Sequence, residues 1–172
     1  MEGIKILSLN NARYFKPKED TLMIRIFGST RSLDDWEEEA NLEYEDYFRD
    51  IFSYQFDDIV SFGMPGSNKI LFNQAHARQI IGDFKDVASC LDYLAVHCYA
   101  GISRSTAVAS SLNHIFNLGV KDEDYLNKKI HRPNMHVYNT MIDTARELGM
   151  EFNFDKSGNS YFPEKFSLSL EL

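Results

Sequence analysis

Cysteine is scarce in this chain: two residues, Cys90 and Cys98, in 172. A scaffold stapled by disulfides is therefore excluded. No Cys-x-x-Cys occurs, and His76, His114, His131 and His136 show no metal-ligand spacing, so neither a metal site nor a cofactor is expected. No run approaches the ~18 apolar residues of a membrane helix. Met1-Glu2-Gly3-Ile4-Lys5 lacks the basic-then-apolar order of a secretory signal. These gaps give the expectation of no membrane partner and a cytoplasmic location. Positive charge is also short: 18 Lys and Arg stand against 26 Asp and Glu, a formal net charge of −8. A protein that grips nucleic acid across a broad face is normally basic, so no nucleic-acid partner is expected. There is no internal repeat and no low-complexity segment. What remains is the composition of a globular protein, 44% hydrophobic and 26% charged, expected to form one domain over 1–172.

Residues 4 to 9 and 21 to 27 alternate in the manner of strands, with Pro17 to Asp20 turning the chain before the second. Residues 51 to 56 read as a third strand and Tyr93 to His97 as a fourth, apolar enough to be buried on both faces. Between Asp34 and Asp50 stand nine acids and one base, Arg49; this reads as a solvated, partly helical insertion (about 34–50). Repulsion of polyanions, or a preference for basic peptides, is its functional alternative. Asn73 reads as the N-cap of an amphipathic helix to Cys90, carried by Ala77, Ile80, Ile81, Phe84, Val87, Ala88 and Leu91. A helix from Arg104 or Ser105 to about Leu118 is capped by Gly119, a short one spans Glu123 to Ile130, and a last one runs from Asn134 to Leu148 before Gly149. The tail, about 150–172, carries Phe152, Phe154, Tyr161, Phe162 and Phe166 and is expected to dock on the body. Strands alternating with helices predict a three-layer α/β/α fold around a mostly parallel sheet, with its site at the carboxyl ends of the strands.

One segment carries chemistry: His97-Cys98-Tyr99-Ala100-Gly101-Ile102-Ser103-Arg104-Ser105. A strand precedes it and a helix follows it. A loop in that position aims backbone N–H groups and the helix dipole at one spot, which suits a phosphate. Arg104 can hold two phosphate oxygens in a fork. In the same positive field the Cys98 thiol should ionise easily. Alone, Cys98 would read as a small buried hydrophobe; Gly101 and Arg104 at these offsets favour a thiolate. Cys90 has no such surroundings and reads as a packing residue rather than a redox partner of Cys98.

The segment resembles the Cys-x5-Arg-Ser/Thr signature of the cysteine-dependent protein tyrosine phosphatases, and its inner residues resemble the dual-specificity branch. The resemblance covers roughly residues 54 to 148, with a catalytic segment of about 51–149. It implies a phosphatase-like fold with a phosphate-binding loop between strand and helix. It implies that Cys98 attacks phosphorus to form a phosphocysteine. Arg104 and the loop of Tyr99, Ala100, Gly101, Ile102 and Ser103 would bind the phosphate oxygens, Ser105 would bond to the sulfur, and His97 would support the loop and the low thiol pKa. The general acid is implied to lie after an upstream strand. Tyr54-Gln55-Phe56-Asp57-Asp58 resembles the acid segment of the small regenerating-liver and lipid phosphatases, which points to Asp58, with Asp57 in reserve. Asp58 precedes Cys98 by 40 positions, more than is usual in that family, and Ser61 to Ser67 would absorb the excess as a mobile loop. Asn134 or Asn139 would position the hydrolytic water, unless Asn134 is simply an N-cap. The substrate implied is a phosphorylated protein, at tyrosine or at serine/threonine, with an acidic pH optimum. Lipid or small-molecule polyphosphates, a catalytically silent phosphate-binding module and arsenate reduction are the alternatives. Oligomeric state is left open.

Overall fold

The structure, a computed structural model, describes residues 1–60 and 68–152, and only the backbone of 37–39. Four strands form one sheet: β1 (Gly3–Ser8), β2 (Thr21–Phe27), β3 (Asp50–Gln55) and β4 (Tyr93–Cys98), in the order β1-β4-β2-β3. Every pairing is parallel, so the sheet expected to be mostly parallel is parallel throughout. Cys98 lies beside Ser8 of β1, and His97 lies between Leu7 of β1 and Arg25 of β2. With neighbours on both edges and cover on both faces, β4 has to be apolar nearly end to end.

Strand alternation sorts the side chains onto two faces. Leu22, Ile24, Ile26, Leu94, Val96 and Cys98 join the main core cluster. Most of its other residues come from α3 (Gln74–Val87), α4 (Arg104–Ile115), α5 (Asp122–Tyr125) and α6 (Met135–Glu147), with Ile4, Tyr54, Phe56, Phe72, Leu91 and Leu126 from the strands and loops. From α3, Ile80, Ile81 and Phe84 are fully buried and contribute roughly 1.5–3 kcal/mol each. The residues of α4 from Arg104 to Asn113 are buried, and most of them are small, which lets the helix lie close against both β4 and α6. On the opposite face Met23 and Ala95 meet a second cluster. It is closed by Ala12 of α1 (Leu9–Arg13) and by Leu42 and Phe48 beyond α2 (Leu33–Glu39).

Several expectations are corrected. The acidic stretch is not simply a solvated insertion: among its acids Ala40, Leu42 and Phe48 are buried, and Leu42 and Phe48 cover one sheet face. Helix α1 was not expected; Ser8 nucleates it by accepting a bond from the Asn11 amide. Helix α4 stops at Ile115 because Asn117, not Gly119, takes the left-handed terminal position, with the Leu118 amide returning to the Asn113 carbonyl at 3.1 Å. Gly149 plays the same part after α6, as expected. The helix expected over 123–130 is confined to α5, since the Asn127 side chain turns the chain by accepting from the Lys129 amide. Helix α3 tightens into a 3-10 turn at Ala88–Cys90. That turn leaves Cys90 exposed, so it does not pack. Cys90 and Cys98 also sit at opposite ends of β4, whose length of roughly 17 Å is beyond disulfide reach.

Phe152 packs against the main cluster; the rest of the aromatic tail, 153–172, lies outside the described residues, as does the stretch 61–67. Among the described residues no helix is long and apolar enough to cross a membrane.

Candidate active site

The parallel sheet ends all four strands on one edge, so the loops after β1, β2, β3 and β4 converge there. The β4 loop, residues 99–103, is drawn tightly over the end of β1. The Leu9 amide donates to the Tyr99 carbonyl at 3.1 Å. Farther along, the Arg132 amide donates to the Ile102 carbonyl (3.0 Å) and the Asn134 amide to the Ser103 carbonyl (3.3 Å). A trans peptide points its N–H opposite to its C=O. The amides of Ala100, Ser103 and Arg104 are thereby turned away from these outer partners, while those of Gly101 and Ser105 reach the Cys98 sulfur in the hollow of the loop. Gly101 makes the curl possible, with φ +71° in the left-handed region.

Cys98 ends β4 at the floor of this hollow and is 2% exposed. Burial pushes its thiol pKa up. The Ser105 hydroxyl, the Ser105 amide, the Arg104 charge and the Gly101 amide together outweigh burial, and the thiol lies below its ordinary value. Ser105 is fully buried, with its Oγ 3.2 Å from Sγ. Arg104, the first residue of α4, is buried and donates from Nη1 to the Phe56 carbonyl at 2.7 Å. Among the described residues its Nε has no partner. The cation is thus anchored to the β3 loop by one nitrogen and keeps donors for an anion.

His97 points to the other sheet face, where its ring meets Phe27 edge-on at 5.5 Å. Burial, reinforced by the Arg25 charge, pushes its pKa down to about 3. It is neutral at physiological pH, so any support it gives the thiol is steric rather than a positive charge.

The two aspartates after β3 are divided by environment. Asp57 is buried and accepts from the Ser29 amide and hydroxyl, Lys69 Nζ (3.1 Å) and the Ile70 amide (2.7 Å). Burial raises its pKa, but these donors overcome it and hold the carboxylate below its usual range. Asp57 is therefore a tie between the β2 and β3 loops. Because its folded pKa is depressed, its stabilisation is present above the unfolded value of ~3.9 and is lost as pH falls through the folded value. Asp57→Asn should cost about 2 kcal/mol at pH 7 in urea unfolding. Its deficit should shrink toward zero in strong acid; a deficit independent of pH would contradict the tie.

Asp58 accepts at Oδ1 from Ser103 Oγ at 2.7 Å and from Asn134 Nδ2 at 2.8 Å. It therefore stands at the rim of the Cys98 loop. Asn134 is also the N-cap of α6, through the His136 and Val137 amides. Asn139, a turn further along α6, is exposed and joins none of this.

A cavity of about 440 Å³ opens beside Arg104. Leu9, Ile26, Phe27, Trp36, Ile59 and Tyr99 give it apolar walls, and Asp57, Asp58 and Lys69 border it. Sequence reasoning missed Trp36 and Lys69. Trp36 stacks on Phe27 at 5.8 Å and donates to the Gly28 carbonyl; its being the chain's single tryptophan, inside the acidic stretch, was the available signal. Among the described residues no three His, Cys, Asp or Glu side chains converge to hold a metal ion.

The arrangement defines an α/β protein with a four-stranded parallel sheet and a thiol-bearing, amide-lined hollow at its carboxyl edge. Compared with known proteins, the chain matches no family model and no curated protein.

Proposed function

We propose that the protein is a phosphomonoester hydrolase of the cysteine-dependent protein tyrosine phosphatase superfamily, in a three-layer α/β/α fold. Its substrate is a protein phosphorylated on tyrosine, or on both tyrosine and serine/threonine. The observation that carries the reading is geometric: a buried thiol with the Ser105 hydroxyl 3.2 Å from its sulfur and with the Arg104 charge and the Gly101 and Ser105 amides around it, all of which favour the thiolate. A buried cysteine without such partners would be harder, not easier, to ionise.

In the mechanism, the Cys98 thiolate attacks phosphorus and the ester P–O bond breaks. The leaving oxygen takes a proton from Asp58, and Arg104 with the amides of residues 99–104 holds the three equatorial oxygens. Water then attacks the phosphocysteine, giving its proton to Asp58; inorganic phosphate leaves and the thiolate returns. Asp57 is a poorer candidate for the acid, because its donors all favour the charged form. Lys69, the lysine at the cavity wall, is already paired with Asp57. That pairing disfavours a polyphosphate substrate, which needs free cations beside the loop.

The test is hydrolysis of p-nitrophenyl phosphate in the presence of EDTA. Turnover by the wild type supports the reading; silence from a folded protein removes it. Asp58→Ala should slow hydrolysis of phenyl phosphate, a poor leaving group, by ~10² to 10⁴. Should Asp57→Ala produce that leaving-group dependence instead, the acid is misassigned.

A further inference from the structure

Among the described residues, both hydrogen bonds to Asp58 fall on the same oxygen. Ser103 Oγ and Asn134 Nδ2 donate to Oδ1, and Oδ2 accepts none among the described residues. The two donors come from separate elements, the β4 loop and the start of α6, and meet on a residue 45 positions from one and 76 from the other.

One donor gives up an ordinary role to do this, and the other adds it to its own. Ser103 occupies the N-cap position of α4, where a serine hydroxyl normally accepts from an amide of the first turn. Here it makes no capping bond and donates to Asp58 instead. In that first turn the Ser105 amide reaches the Cys98 sulfur instead. Asn134 is fully committed: Oδ1 accepts from His136 (3.0 Å) and Val137 (3.2 Å), while Nδ2 donates to Asp58 and to the Ile59 carbonyl (3.4 Å). An amide side chain has two donor hydrogens and two acceptor lone pairs, so nothing is left to hold a water.

We propose that Ser103 and Asn134 are positioning residues for Asp58, clamping Oδ1 so that Oδ2 is the oxygen that exchanges the proton with the leaving group. The proposal rests on the phosphatase reading above and extends it to residues that touch neither phosphorus nor sulfur with their side chains. It also withdraws the water-positioning role considered for Asn134 and leaves that task to Asp58 as the base of the second step.

The test is a leaving-group comparison with Ser103→Ala and Asn134→Ser, using p-nitrophenyl phosphate and phenyl phosphate. Serine at 134 can still cap α6, which separates loss of the clamp from loss of the helix. Each variant should raise the ratio of kcat/KM between the two substrates, p-nitrophenyl over phenyl, by about 10- to 100-fold, the cost of a misplaced catalytic group. In an Asp58→Ala background the same substitutions should leave that ratio unchanged, because no acid remains to be positioned. Equal loss on both substrates, or a ratio that still moves without Asp58, overturns the proposal while the phosphatase reading stands. Absence of turnover by the wild type overturns both.

Discussion

Replacing Cys98 with serine should lower turnover of phosphate esters by about 10⁶-fold, the order seen when a covalent nucleophile is removed. The substitution exchanges one atom in a fully enclosed position, so the fold and the hollow should persist. What changes is ionisation. The Ser105 hydroxyl, two amides and the Arg104 charge hold a thiol below its ordinary pKa. They cannot bring an alcohol, which starts many units higher, into the same range. Serine therefore leaves the binding groups in place and removes the nucleophile, and the variant should bind a phosphate ester that it does not turn over. Trp36 provides the readout: as the chain's single tryptophan and a wall of the cavity beside Arg104, it should change its fluorescence when the ester binds. Mass spectrometry of the wild type quenched in acid during turnover should show a phosphate on the peptide containing Cys98. Turnover by Cys98→Ser near the wild-type rate would remove Cys98 as the nucleophile.

The second large effect is on stability. A methyl group at Gly101 would lie 2.6 Å from the Ser8 nitrogen, 2.7 Å from the Leu7 carbonyl carbon and 2.8 Å from its oxygen. All three are backbone atoms of β1, which is hydrogen-bonded along its length to β4 and cannot step aside. The left-handed conformation adds about 1–2 kcal/mol for any residue with a Cβ. Gly101→Ala should cost about 3 kcal/mol or more in total. In a chain of this size that corresponds to a fall in Tm of roughly 6–12 °C. The alternative is that the loop opens to relieve the overlap, in which case stability recovers and the amides no longer converge. Thermal unfolding together with phosphate binding distinguishes the two. A variant with both wild-type stability and wild-type binding would show that the close approach over β1 is not required.

The helices and strands that could be read in advance are those whose signal is local. β4 is a short apolar run ahead of a glycine-bearing loop, and α3 and α6 carry periodic apolar residues behind asparagine caps. The misreadings have equally local causes. Asn117 ended α4 in place of Gly119 because asparagine also tolerates the left-handed conformation. Ala40, Leu42 and Phe48 were overlooked because the acids around them dominate the composition, while burial depends on single positions. Helical periodicity carried through to Cys90 predicts packing, but the turn there is 3-10 and leaves the thiol exposed.

By itself the sequence determined the parts of the candidate site that lie in one stretch of chain. Cys98, Gly101, Arg104 and Ser105 belong to a single strand-loop-helix unit, and within eight residues backbone geometry leaves little freedom in how they face one another. Asp57 and Asp58 are told apart only by their tertiary contacts. The two are adjacent, have the same chemistry and follow the same strand. They part because one side chain is met by Ser29, Lys69 and Ile70 and the other by Ser103 and Asn134. Those partners come from up to 76 residues away, brought in by a sheet whose order is not the order of the chain. The same holds for Trp36 at the cavity wall. Local spacing sets which groups can act together within a turn; which distant donor reaches a given carboxylate is fixed only when the packed layers bring separate elements to one edge.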